Sequence, residues 1–461
     1  MNRYPAYPEY KPTKCNWFPE IPSHWRFDRA KWSVTSCQNG VWGAEPDGDD
    51  DLVCIRVADF DRQSLRVSTE RLTMRSIAEK DRRNRLLEKG NLLLEKSGGG
   101  EHQLVGAVVE FNQPFPAVSS NFIARMVASD DMYSRFLVYV HSHLYAGRVN
   151  FRSVKQTTGI QNLDGQAYLD ESITYPPLEE QEAIAQFLDF KTAQIDALIV
   201  KKKALLDKLA EKRTALISHA VTKGLHSSAA MRDSDVPWMG EIPAHWTVSK
   251  LSYMVDSLQT GPFGSQLHAE EYIEDGVPVI NPTDISNGEI LENAKVTVGE
   301  EVVERLLRHK LELGDIVIAR RGEMGRAGLV RPNNVGWLCG TGSLRARLNQ
   351  EALNPEFLLF QFSMRGVAEY LTLQSVGSTM DNLNTSILGR LPVIAPPLRE
   401  QVDIVLHLRR VSESINLQAT KIGQVVSSLR EFRSALVSYA VTGRIDVRTF
   451  GIPQHAEILS S

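Results

Sequence analysis

The sequence is poor in cysteine and has no long apolar run. Its four cysteines show no Cys-x-x-Cys spacing, which disfavours a zinc site or a disulfide framework and indicates a reducing compartment. No apolar stretch approaches the ~18 residues of a membrane span, and the first residues lack the apolar core of a signal peptide. We therefore expect a cytoplasmic protein that does not insert into a membrane.

Positive charge is scarce overall. The formal net charge is −4 over 461 residues, which disfavours a freestanding nucleic-acid binder. Arginines nevertheless crowd one stretch of each half, at 56–85 and 305–331. Charge alone leaves open whether these stretches bind an anionic partner or are solvated faces balanced by acids such as Asp47 and Asp51.

The sequence shows no catalytic constellation. Pro46-Asp47 is not followed by the Glu-x-Lys of a nuclease metal site, and no Gly-x-x-x-x-Gly-Lys-Ser/Thr phosphate loop is present. The segment 281–284, Asn-Pro-Thr-Asp, lacks the second proline and the aromatic ring of an amino-methyltransferase motif. We therefore predict no catalytic residue, no metal site and no cofactor on this chain.

What the chain does contain is an internal repeat, offset by 220 or 221 residues. Three segments return: 20–25 as 241–246, 176–181 as 396–401, and 214–222 as 434–442. The first reads Glu-Ile-Pro-x-His-Trp and the second Pro-Pro-Leu-x-Glu-Gln. The long stretch between these two motifs barely matches. The two halves therefore share repeated border segments, which we call the frame, but differ in the residues that these segments enclose.

Each half ends in a long helical pattern. Apolar residues recur at steps of four and three from Ile404 to Tyr439, the heptad seam of a coiled coil, and the first half repeats this seam with lysine interruptions. Prolines precede each pattern, and Gly224 and Gly443 follow it. We predict two helices of about 60 Å, packed antiparallel about a pseudo-two-fold axis. The alternative is that each stripe packs only on its own domain. The predicted seam comprises Ile184, Leu188, Ile195, Leu205, Leu209, Ile404, Leu408, Ile415, Ile422 and Leu429.

The residues between the repeated motifs, which differ in the two halves, have short, strand-like patterns. Apolar runs at 52–57 and 277–280 are each followed by an aspartate, Asp59 or Asp284. The predicted fold class is α+β: two strand-rich α/β domains separated by two long antiparallel coiled-coil helices. The predicted segments are a first domain at 1–175, a helix at 176–225, a second domain at 226–395, a helix at 396–445 and a tail at 446–461.

One pattern occurs in both halves: a turn, then a buried strand, then a cation. It spans 90–96 in the first half and 314–320 in the second, and a glycine loop follows it at 97–100 and at 322–325. Glycine allows a ligand to approach the backbone, and a neighbouring cation suits phosphate, although such loops are also ordinary hairpin turns. The loops 39–43 and 259–265 carry amide, hydroxyl and aromatic groups that could read base edges or simply form turns.

The repeated motifs resemble those of the specificity subunit of type I restriction–modification systems. In both repeats Glu-Ile-Pro-x-His-Trp opens the half, and Pro-Pro-Leu-x-Glu-Gln begins a helix that ends near Ala-Val-Thr. The resemblance implies two target-recognition domains that read a bipartite, asymmetric double-stranded DNA target. It also implies docking of methyltransferase (modification) subunits, two in number, and of restriction (motor–nuclease) subunits. S-adenosylmethionine, ATP and Mg²⁺ would then belong to those partners, and this chain would be non-catalytic.

The residues that face DNA are predicted from the loops and their cations. Arginine can pair with guanine and lysine with phosphate. The predicted positions are Lys96, Ser97, Thr260, Ser265, Arg320, Arg321 and Arg326. Two other functions stay open at this point: a coiled-coil scaffold without DNA readout, and a stand-alone nuclease–methyltransferase.

Overall fold

The computed structural model describes residues 4–49, 51–98, 103–157, 160–375 and 383–451. The predicted glycine-loop positions 99–100 and the part of the predicted tail beyond 451 lie outside the described residues. The chain forms two compact units, Met1–Lys203 with Gly423–Ser461 (unit 1) and Ala204–Ile422 (unit 2). The division falls inside both long helices, so each unit contains part of each helix. The domain boundaries drawn from the sequence stay predictions.

Unit 1 is built mainly of short strands. Its strands are β1 (Tyr10–Cys15), β2 (Phe18–Pro22), β3 (Arg26–Arg29), β4 (Val34–Asn39), β5 (Asp51–Ile55), β6 (Phe60–Asp61), β7 (Arg66–Val67), β8 (Thr73–Ser76), β9 (Leu92–Glu95), β10 (Ser97–Gly98), β11 (Val108–Glu110), β12 (Ala117–Ser119), β13 (Ile123–Ala128), β14 (Val154–Thr157), β15 (Ile160–Leu163) and β16 (Ser172–Tyr175). Its helices are α1 (Glu79–Arg82), α2 (Ser134–Ala146), α3 (Gly165–Leu169) and the first part of α4 (Leu178–Lys223).

The main sheet of unit 1 has the order β4-β13-β9-β11-β7-β6. Its neighbours are antiparallel except for β11 and β7, which are parallel. All four residues of β9 are buried, because this central strand has a neighbour on either side and is covered on both faces. The largest core of the unit joins this sheet to α2 and to parts of both long helices.

Unit 2 has the same plan with different details. Its strands are β17 (Met231–Asp233), β18 (Glu241–Pro243), β19 (Thr247–Lys250), β20 (Val255–Thr260), β21 (Tyr272–Ile273), β22 (Val277–Ile280), β23 (Ile285–Ser286), β24 (Glu289–Ile290), β25 (Thr297–Val298), β26 (Ile316–Ala319), β27 (Ala327–Leu329), β28 (Leu338–Cys339), β29 (Ser343–Leu348) and β30 (Pro392–Ala395). Its helices are α5 (Glu300–Arg305), α6 (Pro355–Phe362), α7 (Arg365–Ser375), α8 (Thr385–Gly389) and the first part of α9 (Leu398–Val441).

The main sheet of unit 2, β20-β29-β26-β27, matches β4-β13-β9-β11 of unit 1 strand for strand. The aspartates that follow the apolar runs also have one role in both units. The backbone N–H of Arg56 donates to Asp59 over 2.7 Å, and that of Asn281 donates to Asp284 over 2.9 Å. Both carboxylates are buried, so they satisfy backbone groups inside the fold.

The two long helices begin and end where the repeated motifs predict. α4 starts at Leu178 and α9 at Leu398, directly after the paired prolines. Gly224 and Gly443 follow the last turns with φ of +73° and +71°, a conformation that glycine adopts without strain. The predicted α+β class with two long coiled-coil helices is confirmed.

The repeated motif residues hold the start of each helix. Trp25 Nε1 donates to Glu180 over 2.9 Å, and His24 lies 2.7 Å from the same carboxylate. In unit 2, Trp246 and His245 contact Glu400 at 3.0 and 2.8 Å. Their neighbours Gln181 and Gln401 each bond three backbone groups around the paired prolines. The repeated sequence is therefore a structural clamp.

The buried stripe of each helix advances by eleven residues rather than seven. In α9 the buried residues Ile404, Ile415, Val426 and Val437 follow this step. In α4 it is followed by the buried Ile184, Ile195 and Ile217, with the half-buried Leu206 between the last two. Eleven residues make three turns of 3.67 residues, close to the 3.6 of a straight helix, whereas a heptad drifts by ~20° per repeat. The predicted heptad register therefore fails as the helices proceed.

The individual seam predictions divide accordingly. Leu205 is wrong as a seam residue, since its side chain is 41% exposed on the solvent side of the stripe. The half-buried positions are Leu209, Ile422 and Leu429. The buried positions are Ile184, Leu188, Ile195, Ile404, Leu408 and Ile415.

Within unit 1 the two helix segments run antiparallel. Arg433 of α9 pairs with Asp196 of α4 at 3.0 Å, and beyond the end of α9 the ring of Phe450 packs 4.9 Å from that of Phe187, nearer the start of α4. In unit 2 the end of α4 and the start of α9 share one core, which includes Ile217 and Ile404. Among the helices in the described part of the chain, none combines the length and apolar character that crossing a membrane requires.

Candidate nucleic-acid interface

Three strand ends meet at one edge of the main sheet in each unit. In unit 1, Asn39 at the end of β4 pairs with Ala124, and Glu95 at the end of β9 pairs with Ile123 at the start of β13. The loops after β4, after β9 and before β13 therefore emerge together. We call this side the loop edge.

Unit 2 has the same loop edge, because the pairing is repeated. Thr260 at the end of β20 pairs with Leu344, and Ala319 at the end of β26 pairs with Ser343 at the start of β29. Thr260 is therefore the counterpart of Asn39. Most of the residues predicted to face DNA lie on or directly beyond these strand ends, in both units.

The loop edge of unit 1 combines a cation, amides, a hydroxyl and an aromatic ring. Lys96 Nζ donates to Asn39 Oδ1 over 2.7 Å, and Ser97 Oγ donates to Asn162 Oδ1 over 2.6 Å. The backbone N–H of Lys96 donates to the carbonyl of Phe122, whose ring is exposed. Such groups can contact phosphate, hydrogen-bond base edges and stack on bases.

The loop edge of unit 2 carries other cations. Arg321 is exposed, and among the described residues no hydrogen bond or ion pair holds its guanidinium. Thr260 is half-buried. Ser265 is exposed in the following loop and lines a cavity of about 440 Å³ beside Arg305 and Arg308. These side chains leave a cationic, hydroxyl-bearing surface open to solvent.

Two of the predicted DNA-facing arginines bond other groups of this chain. Arg320 is buried, and its guanidinium donates to the carbonyls of Leu383 and Thr341 at 3.0 and 3.4 Å. Burial, and then the charge of Arg321, lower the pKa of Arg320. Arg320 as a DNA-facing residue is therefore wrong, because its side chain is buried and bonds two backbone carbonyls inside the fold.

Arg326 is likewise engaged by its own loop. It pairs with Glu323 at 2.6 Å and donates to the carbonyl of Pro282 over 3.1 Å. The side chain is about one-third exposed. Arg326 thus braces the loop between β26 and β27, and its charge is largely balanced by its neighbour.

Glycine is required where the first loop leaves the sheet. A Cβ on Gly40 would collide with the carbonyl oxygen of Ser119, and one on Gly261 would collide with that of Gly340. The backbones pass this closely because each glycine N–H donates to the neighbouring segment, to Ile123 in unit 1 and Ser343 in unit 2. The same anchor therefore fixes the first loop in both units.

Sequence reasoning missed several residues of the loop edge. Asn39 and Asn162 lie in segments whose polarity was visible, but their pairing with Lys96 and Ser97 depends on strand register. Phe122 gave no signal, because one exposed aromatic between two strands looks like any core residue. Arg308 stood within an arginine-rich stretch, where only its position beside Ser265 distinguishes it.

The arginine-rich stretches are largely paired with acids. Arg62 pairs with Glu95 at 2.9 Å, and Arg75 with Glu45 at 2.6 Å. In unit 2, Arg331 pairs with both Glu289 and Glu356. The interpretation of these stretches as charges balanced by acids holds for these residues. In the described ranges, no group of three or more His, Cys, Asp or Glu side chains is placed to hold a metal ion.

Comparison with known proteins gives these loop edges a context. Residues 243–426 match the family described as type I restriction modification DNA specificity domain. The chain is 23% identical over 360 residues to the type I restriction enzyme EcoBI specificity subunit of Escherichia coli, covering 75% of this chain and 74% of that one. Over three quarters of its length the chain therefore resembles a specificity subunit of a type I restriction–modification system, and residues 243–426 match the DNA specificity domain of that family. A second relative, the MjaVIII specificity subunit of Methanocaldococcus jannaschii, is 23% identical over 64% of this chain and 67% of its own length.

Solved structures share the fold of this chain. A chain from a study of complex assembly and conformational transition of the type I R-M system superposes with a TM-score of 0.66 at 15% identity, covering 92% of this chain and 99% of that one. The HsdS subunit from Thermoanaerobacter tengcongensis gives a TM-score of 0.50 at 15% identity, covering 92% and 98%. The family whose model matches residues 243–426 is described by DNA specificity, which favours DNA readout over a scaffold role alone.

Proposed function

We propose that this chain reads a bipartite, asymmetric DNA target without itself catalysing a reaction, each loop edge contacting one half of the target. The observation that carries the proposal is that one sheet edge recurs with different side chains. Asn39 has Thr260 as its counterpart, and the exposed Phe122 has Gly342. Equal edges would read equal half-sites. Unequal edges read a target that is not a palindrome.

The two long helices are proposed to set the spacing between the half-sites. They contain 46 and 44 residues, so they are about 69 and 66 Å long at ~1.5 Å per residue. The clamp of Trp and His on Glu supports this role, because it fixes the start of each helix to its own unit. A helix can set a fixed spacing only if its end is held rigidly by the unit to which it is attached.

The partners are proposed to be two modification subunits, which methylate adenine, together with restriction subunits. Support comes from the repeat, which offers one partner two equivalent surfaces, and from the relatives, which are named as subunits of restriction enzymes. S-adenosylmethionine, ATP and Mg²⁺ are proposed to act on those subunits, and the cytoplasm is the proposed location.

The proposal is tested by methylation mapping. The chain is mixed with its modification subunit, S-adenosylmethionine and random-sequence DNA, and the methylated adenines are sequenced. We expect one asymmetric target with two short half-sites and a fixed gap. The modification subunit alone is expected to give no sequence preference, and the chain alone no methylation. A palindromic target, or methylation by the chain alone, contradicts the proposal.

A further inference from the structure

The two units expose an aromatic side chain at the same place. Trp32 is 59% exposed and Tyr253 is 74% exposed, although a large ring normally contributes to a core. The two positions differ by the 221 residues that separate the Glu-Ile-Pro-x-His-Trp motifs. Each lies in a short 3-10 helix, Ala30–Ser33 or Leu251–Tyr253, directly before the first strand of the main sheet.

The backbone of this aromatic turn is clamped identically in both units. At its start, Ala30 N–H donates to the carbonyl of Glu171 over 2.7 Å, and Leu251 N–H donates to that of Leu391 over 2.9 Å. The residue at the start of each turn, Ala30 or Leu251, is fully buried. The turn is therefore fixed from the inside.

The end of the turn is held by a second repeated bond. The carbonyl of Ser33 accepts from Ser129 N–H over 3.0 Å, and that of Met254 accepts from Asn349 N–H over 3.1 Å. A ring on a backbone held at both ends loses little conformational entropy when a partner covers it. Rigid, exposed Trp and Tyr side chains are the residues that most often dominate protein–protein interfaces.

The aromatic turn lies at the end of the strand opposite to the loop edge. Trp32 precedes β4, whose last residue is Asn39, and Tyr253 precedes β20, whose last residue is Thr260. A strand of six residues spans about 20 Å. A partner on the aromatic turn can therefore bind while the loop edge contacts DNA.

Basic residues flank both aromatic turns in the chain. Lys31 Nζ lies 5.3 Å from the centre of the Trp32 ring, and Lys31 and Arg29 share Asp170 as an ion-pair partner at 2.9 and 3.4 Å. Arg29 and its counterpart Lys250 are exposed at the end of the preceding strands, and the exposed Arg390 precedes the Leu391 carbonyl that clamps the second turn. Two cations against one acid leave a net positive charge beside Trp32, so the complementary surface is an apolar pocket with an acidic rim.

We propose that Trp32 and Tyr253 are the anchors by which this chain docks two copies of the modification subunit, one on each unit. Two equivalent anchors on one chain fit two copies of one partner. The inference rests on the proposed function for the identity of that partner. It adds the surface, the anchor residues and the chemistry of the pocket that receives them.

The test is the stoichiometry of the complex. Full-length chain is mixed with modification subunit, and the mass of the complex is measured by light scattering or native mass spectrometry. We expect two copies on the wild type, one on Trp32→Ala, one on Tyr253→Ala, and at least about a tenfold loss of affinity for both copies in the double variant. Met74→Ala and Leu291→Ala remove other exposed apolar side chains and should keep two copies.

The outcomes separate the two proposals. A wild type that binds no modification subunit overturns the proposed function. Two copies on the wild type and two, with unchanged affinity, on the double variant overturn only the docking inference. Loss of self-association of the isolated chain in the double variant would assign the rings to a second copy of this chain and also overturn it. Trp32→Gln and Tyr253→Gln, with melting curves of all variants, establish that any loss does not come from unfolding.

Discussion

Val425 and Val426 are adjacent in α9, yet Val426 is 7% exposed and Val425 is 44% exposed. The heptad register places Val425 on the seam, while the eleven-residue register places Val426 there. Both side chains have the same size and helix propensity, so their difference in burial comes only from the rotation of the helix. The pair therefore distinguishes the two registers without any change of residue type.

An aspartate at each valine tests the register. Val426→Asp should lower the free energy of unfolding by at least about 2 kcal/mol, because it buries an unpaired carboxylate in the core of unit 1. Val425→Asp should change it by about 0.5 kcal/mol or less, since a solvated side chain is replaced. Urea unfolding of the full chain measures both. A larger loss of stability in Val425→Asp than in Val426→Asp would support the heptad register instead.

Lys96 and Arg320 follow equivalent strands but should respond oppositely to alanine. Arg320→Ala leaves the carbonyls of Leu383 and Thr341 without their donor and should cost about 1–3 kcal/mol of stability. Lys96→Ala should cost less than about 1 kcal/mol of stability and instead weaken DNA binding. Thermal melting and DNA titration with the modification subunit present separate the effects. Equal stability losses would contradict the distinction.

Arg321 should contribute one phosphate contact. Removing a cation that contacts phosphate weakens binding to all sequences and reduces the salt slope by about one unit. Arg321→Ala should therefore flatten the dependence of log affinity on log salt concentration by that amount, with the sequence preference retained. Arg399→Ala, which removes an exposed cation at the start of α9, is the control. An unchanged slope in Arg321→Ala places this side chain away from DNA.

Glu180 should be more important for stability than Glu400. Glu180 is buried and receives bonds from Tyr7, His24 and Trp25, so Glu180→Ala should cost about 2–4 kcal/mol. Glu400 has the equivalent contacts from His and Trp in a more exposed setting and should cost less. Chemical denaturation gives the comparison, with the exposed Glu182→Ala as a control. A smaller effect at Glu180 than at Glu400 would show that burial does not determine the strength of the clamp.

His141 should make the stability depend on pH. Burial lowers the pKa of His141 to about 4, while an unfolded histidine titrates near 6.5. Above pH ~6.5 the histidine is neutral in both states and does not reduce stability. Between pH ~6.5 and 4 only the unfolded chain binds the proton, so the free energy of unfolding falls by up to about 1.4 kcal/mol per pH unit. His141→Gln should remove this part of the slope. Unfolding measured from pH 7 to 4.5 compares the two chains; parallel curves would contradict the assignment.

The repeated segments and the limits of the long helices could be predicted from the sequence, whereas most contacts at the loop edge could not. The paired prolines, the acids that follow them and the terminal glycines predict the limits of both helices, because these signals act locally. The strand ends at Glu95 and Ala319 were also visible as buried runs that stop at a cation. Residues whose roles depend on a few neighbouring atoms were therefore predictable.

The remaining features depend on distant packing. Lys96 and Arg320 have the same local context, and only the carbonyls of Leu383 and Thr341, brought in by the fold, make one of them internal. The two helix registers differ by a small rotation per turn, so a short apolar pattern fits both. The exposure of Trp32 and Tyr253 could not be predicted, because the sequence does not indicate whether an aromatic side chain faces the core or the solvent.

The placement of the aromatic turn and the loop edge at opposite ends of one strand has a consequence for evolution. Loops beyond Asn39 and Thr260 can be lengthened, shortened or exchanged by recombination without disturbing the turns that precede β4 and β20. The proposed DNA-reading loops can thus change without a change in the surface that we propose for docking. Each half can also change separately, since each loop edge is formed by strands of its own unit.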